Sequence, residues 1–268
     1  QREAVICALE NSLMVLTGGP GTGKTTIVSF IIECYEQIGK KVTLCAPTGR
    51  AAKRLAESSG RKASTIHRLL EVGYTDENEQ ENFYNRDESN PLDTDVLIVD
   101  EMSMVDIFLI KALFCAIKTG TSVIMVGDRD QLPSVGPGKV LWDFIESEKV
   151  STVTLDEIFR QSSESSIIIN AHRVNQGKPL ELVKGADDFF FMARNTHSEA
   201  ADLIVELISS RLPQYFGVKP QDIQILSPVK KSESGVNELN RRVQEAVNPP
   251  AKEKSEFRHS ERVFRTGD

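Results

Sequence analysis

The chain is 268 residues long, 40% hydrophobic and 26% charged, with a formal net charge of −7. These are globular values for about two domains, and the acid excess excludes a uniformly basic nucleic-acid coat, so contact with nucleic acid has to come from a local patch. Cys7, Cys34, Cys45 and Cys115 lie far apart with no C-x-x-C pair and read as buried thiols in a reducing compartment. No apolar run reaches membrane-spanning length, and QREAVICALEN at the N-terminus has no basic segment with a cleavage site; a cytoplasmic protein without membrane contact is expected.

In chain order, residues 4–9 read as a short amphipathic helix and residues 13–16 as a first strand. Residues 24–38 form a predicted helix closed by Gly39, with Ile27, Phe30, Ile31, Cys34 and Ile38 expected on its buried side. A strand at 42–45 leads through Ala46-Pro47-Thr48-Gly49 into a basic helix at 50–57 and a helical piece at 64–70. This alternation is the βαβ signature of a parallel sheet. From Gly73 to Asp95 the chain becomes acidic (Asp76, Glu77, Glu79, Glu81, Asp87, Glu88) and loses apolar periodicity, as a loop or small hairpin would. Residues 96–99 and 123–126 are apolar runs that read as buried parallel strands, and helices at 106–117 and 139–146 complete the first unit. The pattern then restarts with strands at 153–155, 189–192 and 223–226 and helices at 166–175, 198–212 and 236–247. The expected class is α/β, with domains at 1–150 and 151–268.

The strongest local signal is LMVLTGGPGTGKTTIVSFII, residues 13–32, in which Gly18, Gly23, Lys24 and Thr25 fill the P-loop pattern between a strand and a helix. Glycines let the backbone turn its N–H groups toward an anion at the start of the next helix. Gly19, Pro20, Gly21, Thr22, Gly23, Lys24, Thr25 and Thr26 are therefore the candidate nucleotide-binding stretch, with ATP and Mg²⁺ the expected cofactors. Lys24 would neutralise the β and γ phosphates, and Thr25 offers a hard oxygen to Mg²⁺. Asp100 and Glu101 close the apolar strand at 96–99, where P-loop enzymes place a Mg²⁺-holding carboxylate and a water-activating one. Gln131, after Gly127-Asp128, has an amide able to bond phosphate or water. Arg160 in DEIFRQ carries the guanidinium favoured for stabilising phosphoryl charge, although a surface salt bridge explains it equally well locally.

Taken in order, GGPGTGKT, APTGRAA, STIHRLL, VDEMSMVD, VGDRDQLPSVGPG, FRQ and ILSPVKK resemble the successive motifs of RecD-like superfamily 1 DNA helicases, over nearly the whole chain. The resemblance implies a P-loop NTPase of two RecA-like parallel-sheet domains, ATP held between them, and 5′ to 3′ movement on single-stranded DNA. By position it implies that Gln1 reads adenine and that Lys24, Asp100, Glu101, Gln131 and Arg160 serve hydrolysis, Arg160 from across the cleft. Pro47, Thr48, Gly49 and Arg50 match a first DNA-contacting loop, and Thr65 and His67 a second. The basic run from Arg50 to Arg68, with Lys53, Arg54, Arg61 and Lys62 against the single acid Glu57, suits backbone phosphates. The acidic insert falls where relatives carry a duplex-parting hairpin, a role its charge opposes. Expected partners are single-stranded DNA and duplex junctions, with helicase–nuclease complex subunits as further candidates.

The rival readings are an RNA helicase of the same superfamily, since backbone tracking separates the two only through the 2′-OH, and a nucleotide-gated DNA-binding module without hydrolysis. His172 and His197 read as surface or packing residues, Trp142 as an anchor beneath the GDRDQLPSVGPG loop, and Met102 and Met104 as core. The family's later DNA-touching and arginine motifs do not follow ILSPVKK, so the second domain reads as cut partway and the chain as a fragment.

Overall fold

The valine- and isoleucine-rich runs become buried strands and the helical segments pack on both faces of the sheet they form. The computed structural model describes residues 1–73, 83–156, 165–182, 188–260 and 262–268. These divide into two compact units, Gln1–Phe189 and Phe190–Asp268.

The first unit runs α1 (Arg2–Glu10), β1 (Leu13–Gly18), α2 (Lys24–Gln37), β2 (Val42–Ala46), α3 (Gly49–Ser59), β3 (Ala63–Thr65), α4 (Ile66–Leu69), β4 (Val72–Gly73) and β5 (Phe83–Tyr84). It continues with β6 (Val96–Val99), a 3-10 turn at Met102–Met104, α5 (Ile107–Cys115), β7 (Ser122–Gly127), α6 (Val140–Glu146), β8 (Ser151–Leu155) and α7 (Ser166–Asn175). Six strands make one sheet in the order β3-β2-β6-β7-β1-β8, and every pairing in it is parallel. Its two faces are covered by separate apolar clusters, one holding Leu16, Ile31 and Ile98 and the other Val15, Leu97 and Met125. Alternate residues of the same strands thus feed opposite layers, as the period of two requires.

β8, expected to open the second domain, is instead the edge strand of this first sheet, with Leu16 opposite Val153 and Gly18 opposite Leu155. Its apolar Val153 and Leu155 join the same cluster as Leu16, and that burial draws the strand onto β1. The acidic insert is a short antiparallel hairpin of β4 and β5, closed at its base by Arg86 pairing with Glu71 at 2.7 Å; its acids from Asp76 to Glu81 lie outside the described residues.

In α2 the buried stripe is Ile27, Val28, Ile31, Ile32 and Tyr35, whereas Phe30 and Ile38 are 55% and 64% exposed. The expected set mixed two sides of the helix; the buried residues, which follow one another in steps of one and three, keep to a single face. Tyr35 also donates its hydroxyl proton to the Ala8 carbonyl, which ties α2 to α1. Met104, expected in the core, is 46% exposed, while Met102 is fully buried. Of the cysteines only Cys45 is fully buried, and burial pushes its thiol far up.

The second unit holds α8 (His197–Glu206), a π-helical stretch at Leu207–Arg211, α9 (Leu212–Phe216), α10 (Val236–Val247) and the antiparallel pair β9 (Glu256–His259) and β10 (Arg262–Arg265). α8 and α10 are joined by an Arg242–Asp202 ion pair, and the Gln244 amide donates to the Val263 carbonyl at 2.8 Å, holding the hairpin to α10. The segments expected as strands at 189–192 and 223–226 carry no strand assignment, with Phe190 and Leu226 53% and 87% exposed. A strand needs a ladder of backbone bonds to a neighbour, and among the described residues no sheet takes in either segment. Among those residues no helix is long and apolar enough to cross a membrane.

The observed stripe makes a prediction. Ile31→Ala, at a fully buried position, should lower the unfolding free energy by about 2–5 kcal/mol, and Ile38→Ala should change it by less than about 0.5 kcal/mol. Urea titration followed by far-UV circular dichroism checks the pair, and equal losses would place Ile38 on the buried face after all.

Candidate nucleotide-binding site

The site begins where β1 ends. Gly18 packs so closely on β8 that a side chain there would stand 2.8 Å from the Leu155 carbonyl oxygen. Gly21 and Gly23 take φ of 77° and 85°, the left-handed region that only glycine enters without strain. Gly23 then starts α2 directly. Within the loop, the buried Thr22 donates its hydroxyl proton to the Gly19 carbonyl at 2.9 Å. Lys24 Nζ folds back to donate to the carbonyls of Gly18 and Gly19, the latter at 2.9 Å.

The parallel register brings the other pieces alongside. Thr17 is opposite Gly127, Val99 opposite Met125 and Cys45 opposite Val99, so β1, β7, β6 and β2 all end in one row. Asp100 follows β6, its N–H donating to the Cys45 carbonyl at 2.9 Å and its Oδ1 accepting from the Glu101 N–H at 2.9 Å. Glu101 sits at φ 54° and ψ 42°, a left-handed conformation that costs a non-glycine residue on the order of 1 kcal/mol or more. It turns the chain sharply from strand into the 3-10 turn.

Lys24, Thr25, Asp100, Glu101 and Gln131 all line one cavity of about 120 Å³, with Val28, Leu55 and Val126 as its apolar wall. Burial lowers the Lys24 pKa, opposed by the carboxylates of Asp128, Glu101 and Asp100. Burial likewise raises Asp100, opposed by the Glu101 N–H and by Lys24. Glu101 is raised by burial first and by Asp100 second, with Lys24 and Arg54 pulling the other way. A lysine turned onto its own loop's carbonyls beside two carboxylates is a cradle suited to a phosphate anion and a hard divalent cation. Thr25 and Asp100 are the residues present that fit Mg²⁺, which takes one or two protein oxygens and keeps waters.

The remaining candidates fall elsewhere. Gln1 precedes α1, is exposed and is not among the cavity-lining residues; Arg160 lies outside the described residues. Thr48 and Thr65 spend their hydroxyls as N-caps of α3 and α4, accepting from Ala51 and Arg68 N–H at 3.2 Å each. Because Ala46 pairs with Thr65 across β2 and β3, the Pro47–Arg50 and Thr65–His67 loops emerge side by side on the same sheet edge as the cavity. Arg50, Lys53 and His67 are exposed there, Lys53 in a weak 3.8 Å pair with Glu57, whereas Arg61 is turned away into a pair with Glu36 at 2.7 Å. Asp128 and Arg54 act on this cavity although sequence reasoning gives neither a role in it. Asp128 was legible in GDRDQ; Arg54 faces Glu101 only because α3 packs beside the cavity. Trp142 is 40% exposed, with the Arg129 guanidinium 5.0 Å over its ring, so it abuts the loop after β7 from a half-open position.

The AAA domain family model matches residues 1–137. The chain belongs to that family. It is similar to the ATP-dependent RecD2 DNA helicase of Deinococcus radiodurans, 36% identical over 237 residues, which are 88% of this chain and 31% of that protein. It is also similar to the RecBCD enzyme subunit RecD of Mycobacterium tuberculosis, 37% identical over 192 residues, 63% of this chain and 32% of that one. A solved Pif1 helicase from Candida albicans aligns with 80% of this chain and 53% of its own at 23% identity and a TM-score of 0.49. The family match ends at Pro137 and so takes in the loop, Asp100, Glu101 and Gln131. The chain matches roughly a third of the length of the two curated relatives.

The raised pKa of Asp100 gives a second prediction. Between its ordinary value of 3.8 and its higher folded value the folded chain holds the extra proton, so stability falls as pH rises through that window. Asp100→Asn should raise the Tm of the nucleotide-free chain at pH 7, with the gain shrinking on acidification and absent below that ordinary value. Scanning calorimetry across pH measures it; a Tm lowered at pH 7 would contradict the burial penalty.

Proposed function

We propose that the chain is the ATPase part of a DNA helicase or translocase that moves 5′ to 3′ on single-stranded DNA. The observation that carries this reading is the gathering of Lys24, Thr25, Asp100, Glu101 and Gln131 around one cavity, with the basic start of α3 on the same sheet edge. Bound ATP with Mg²⁺ supplies the phosphoanhydride whose cleavage powers movement. Lys24 exchanges the Gly18 and Gly19 carbonyls for phosphate oxygens, and Thr25 and Asp100 hold the cation. Glu101 takes the proton of the attacking water at its carboxylate; burial and Asp100 raise its basicity, which suits a general base. Gln131 hydrogen-bonds phosphate or water at the mouth, and Arg160 is assigned phosphoryl charge stabilisation by position in FRQ. Gln1 is assigned to adenine.

The Pro47–Arg50 and Thr65–His67 loops, with Lys53, would track the DNA backbone, where charge and N–H donors suffice and no base is read. The second unit is proposed as part of a second RecA-like domain, in keeping with the similarity to RecD helicases. Subunits of a helicase–nuclease complex are proposed partners on the same ground.

Lys24→Ala should abolish measurable ATP·Mg²⁺ binding, while Glu101→Gln should keep it and slow hydrolysis by about 10²-fold or more. Nucleotide titration together with ATPase rates, with single-stranded DNA, with RNA and with neither, tests both roles; equal loss of affinity in the two variants would remove the division of labour, and stimulation by RNA alone would move the substrate class.

Reversing charge at Arg50 and Lys53 should weaken single-stranded DNA binding evenly across sequences and flatten the log–log salt slope by about 0.7 for each phosphate that is no longer neutralised. Anisotropy titrations at several salt concentrations read the slope, and an unchanged one returns these residues to a solvated helix face.

A further inference from the structure

His172 is not a bystander on the surface. Its Nε2 is sealed from solvent and has no hydrogen-bond partner among the described residues. The ring lies against the phosphate loop: a side chain at Gly19 would begin 3.0 Å from His172 Cε1 and 3.7 Å from Nε2. Glycine at 19 is what lets an imidazole come so near the loop backbone. A polar nitrogen taken out of water without a partner costs about 1–3 kcal/mol, and such an atom calls for a reason beyond packing.

The helix that carries the ring is clamped in place. Ser165 caps α7 and donates its hydroxyl proton to Asp188 Oδ2 at 2.6 Å, and the Ser166 N–H donates to Asp188 Oδ1 at 3.1 Å. Asn170 is 2% exposed and exchanges two hydrogen bonds with the Glu181 backbone, at 3.0 and 2.7 Å. Arg173 donates to the Pro179 carbonyl at 2.8 Å. These bonds tie α7 to the segment that follows it at positions before and after His172.

We propose that His172 is a phosphate contact for the bound nucleotide: Nε2–H donates to a phosphate oxygen of the nucleotide held in the loop. The proposal rests on the nucleotide reading of the Lys24 cavity. An imidazole N–H is a suitable donor to an anionic oxygen, and such a bond is stronger than one between neutral partners. The orphaned nitrogen then finds in the ligand the partner that the described residues do not give it, and α7 becomes sensitive to whether the loop is filled.

Calorimetric titration of wild type, His172→Phe, His172→Gln and Lys24→Ala with ATP·Mg²⁺, ADP·Mg²⁺ and adenosine tests this. His172→Phe keeps the ring without a donor and should weaken both phosphate-bearing nucleotides by about tenfold or more, the size of one charge-assisted bond. His172→Gln, which retains a donor, should recover most of that affinity, and adenosine binding should be the same in all four proteins. In wild type, the His172 ring ¹⁵N resonance should move on adding ADP or ATP and stay in place with adenosine, a readout that does not need His172→Phe to fold. Wild-type affinity in His172→Phe, or a ring resonance that phosphate leaves unmoved, overturns the assignment. If Lys24→Ala loses ATP while His172→Phe does not, the histidine alone is refuted; if wild type binds no ATP, the nucleotide reading falls with it.

Discussion

Lys24, Asp100 and Glu101 are held together partly out of water, and the first unit is arranged around that electrostatic strain. Burial works against the charged form of each; Lys24 and the two carboxylates partly compensate one another, while Asp100 adds to the rise at Glu101. An ion set of this kind adds little net stability, because desolvation offsets attraction. On the function proposed above its value is chemical: a lysine parked on carbonyls would leave them for a phosphate, and a carboxylate raised in basicity would accept a proton. The left-handed backbone of Glu101 belongs to the same arrangement, since it aims the carboxylate by leaving the strand abruptly.

Such charges can be held only by a stiff frame. A parallel ladder of four strands fixes the ends of β1, β7, β6 and β2 in one row, and loops leaving that row share an edge without further instruction. The same register places β3 beside β2, so the two loops with candidate DNA contacts arrive together at that edge. Sheet geometry therefore links the nucleotide cavity to the basic surface through α3, whose Leu55 forms cavity wall while its Arg50 and Lys53 face outward.

Much of this is legible in the chain because the signals are local. The P-loop needs particular residues at particular spacings within one turn, and Val96 to Val99 can be recognised as a buried strand from four apolar residues followed by two acids. The bounds of α7 follow from its apolar spacing and the serine before it. Where expectation and structure part, the causes are physical. In α2 the apolar residues outnumber the places on the buried face, so Phe30 and Ile38 cannot be told from Val28 and Tyr35 until the sheet chooses a side. Met104 lies two residues from the fully buried Met102, and a 3-10 turn between strand and helix sends them to opposite sides.

What the sequence determined by itself was chemistry and period: a phosphate loop, paired acids, a basic helix, and alternating elements that commit the first unit to a parallel sheet. Those depend on neighbours a few residues apart, where backbone sterics and side-chain type decide the outcome. Only the tertiary structure decided that β8 joins the first sheet, that no strand forms at 189–192 or 223–226 among the described residues, and that His172, far along the chain, rests on Gly19. Such pairings depend on which apolar surface is left to cover and on close approach between distant backbone atoms, and no local pattern of residues encodes either.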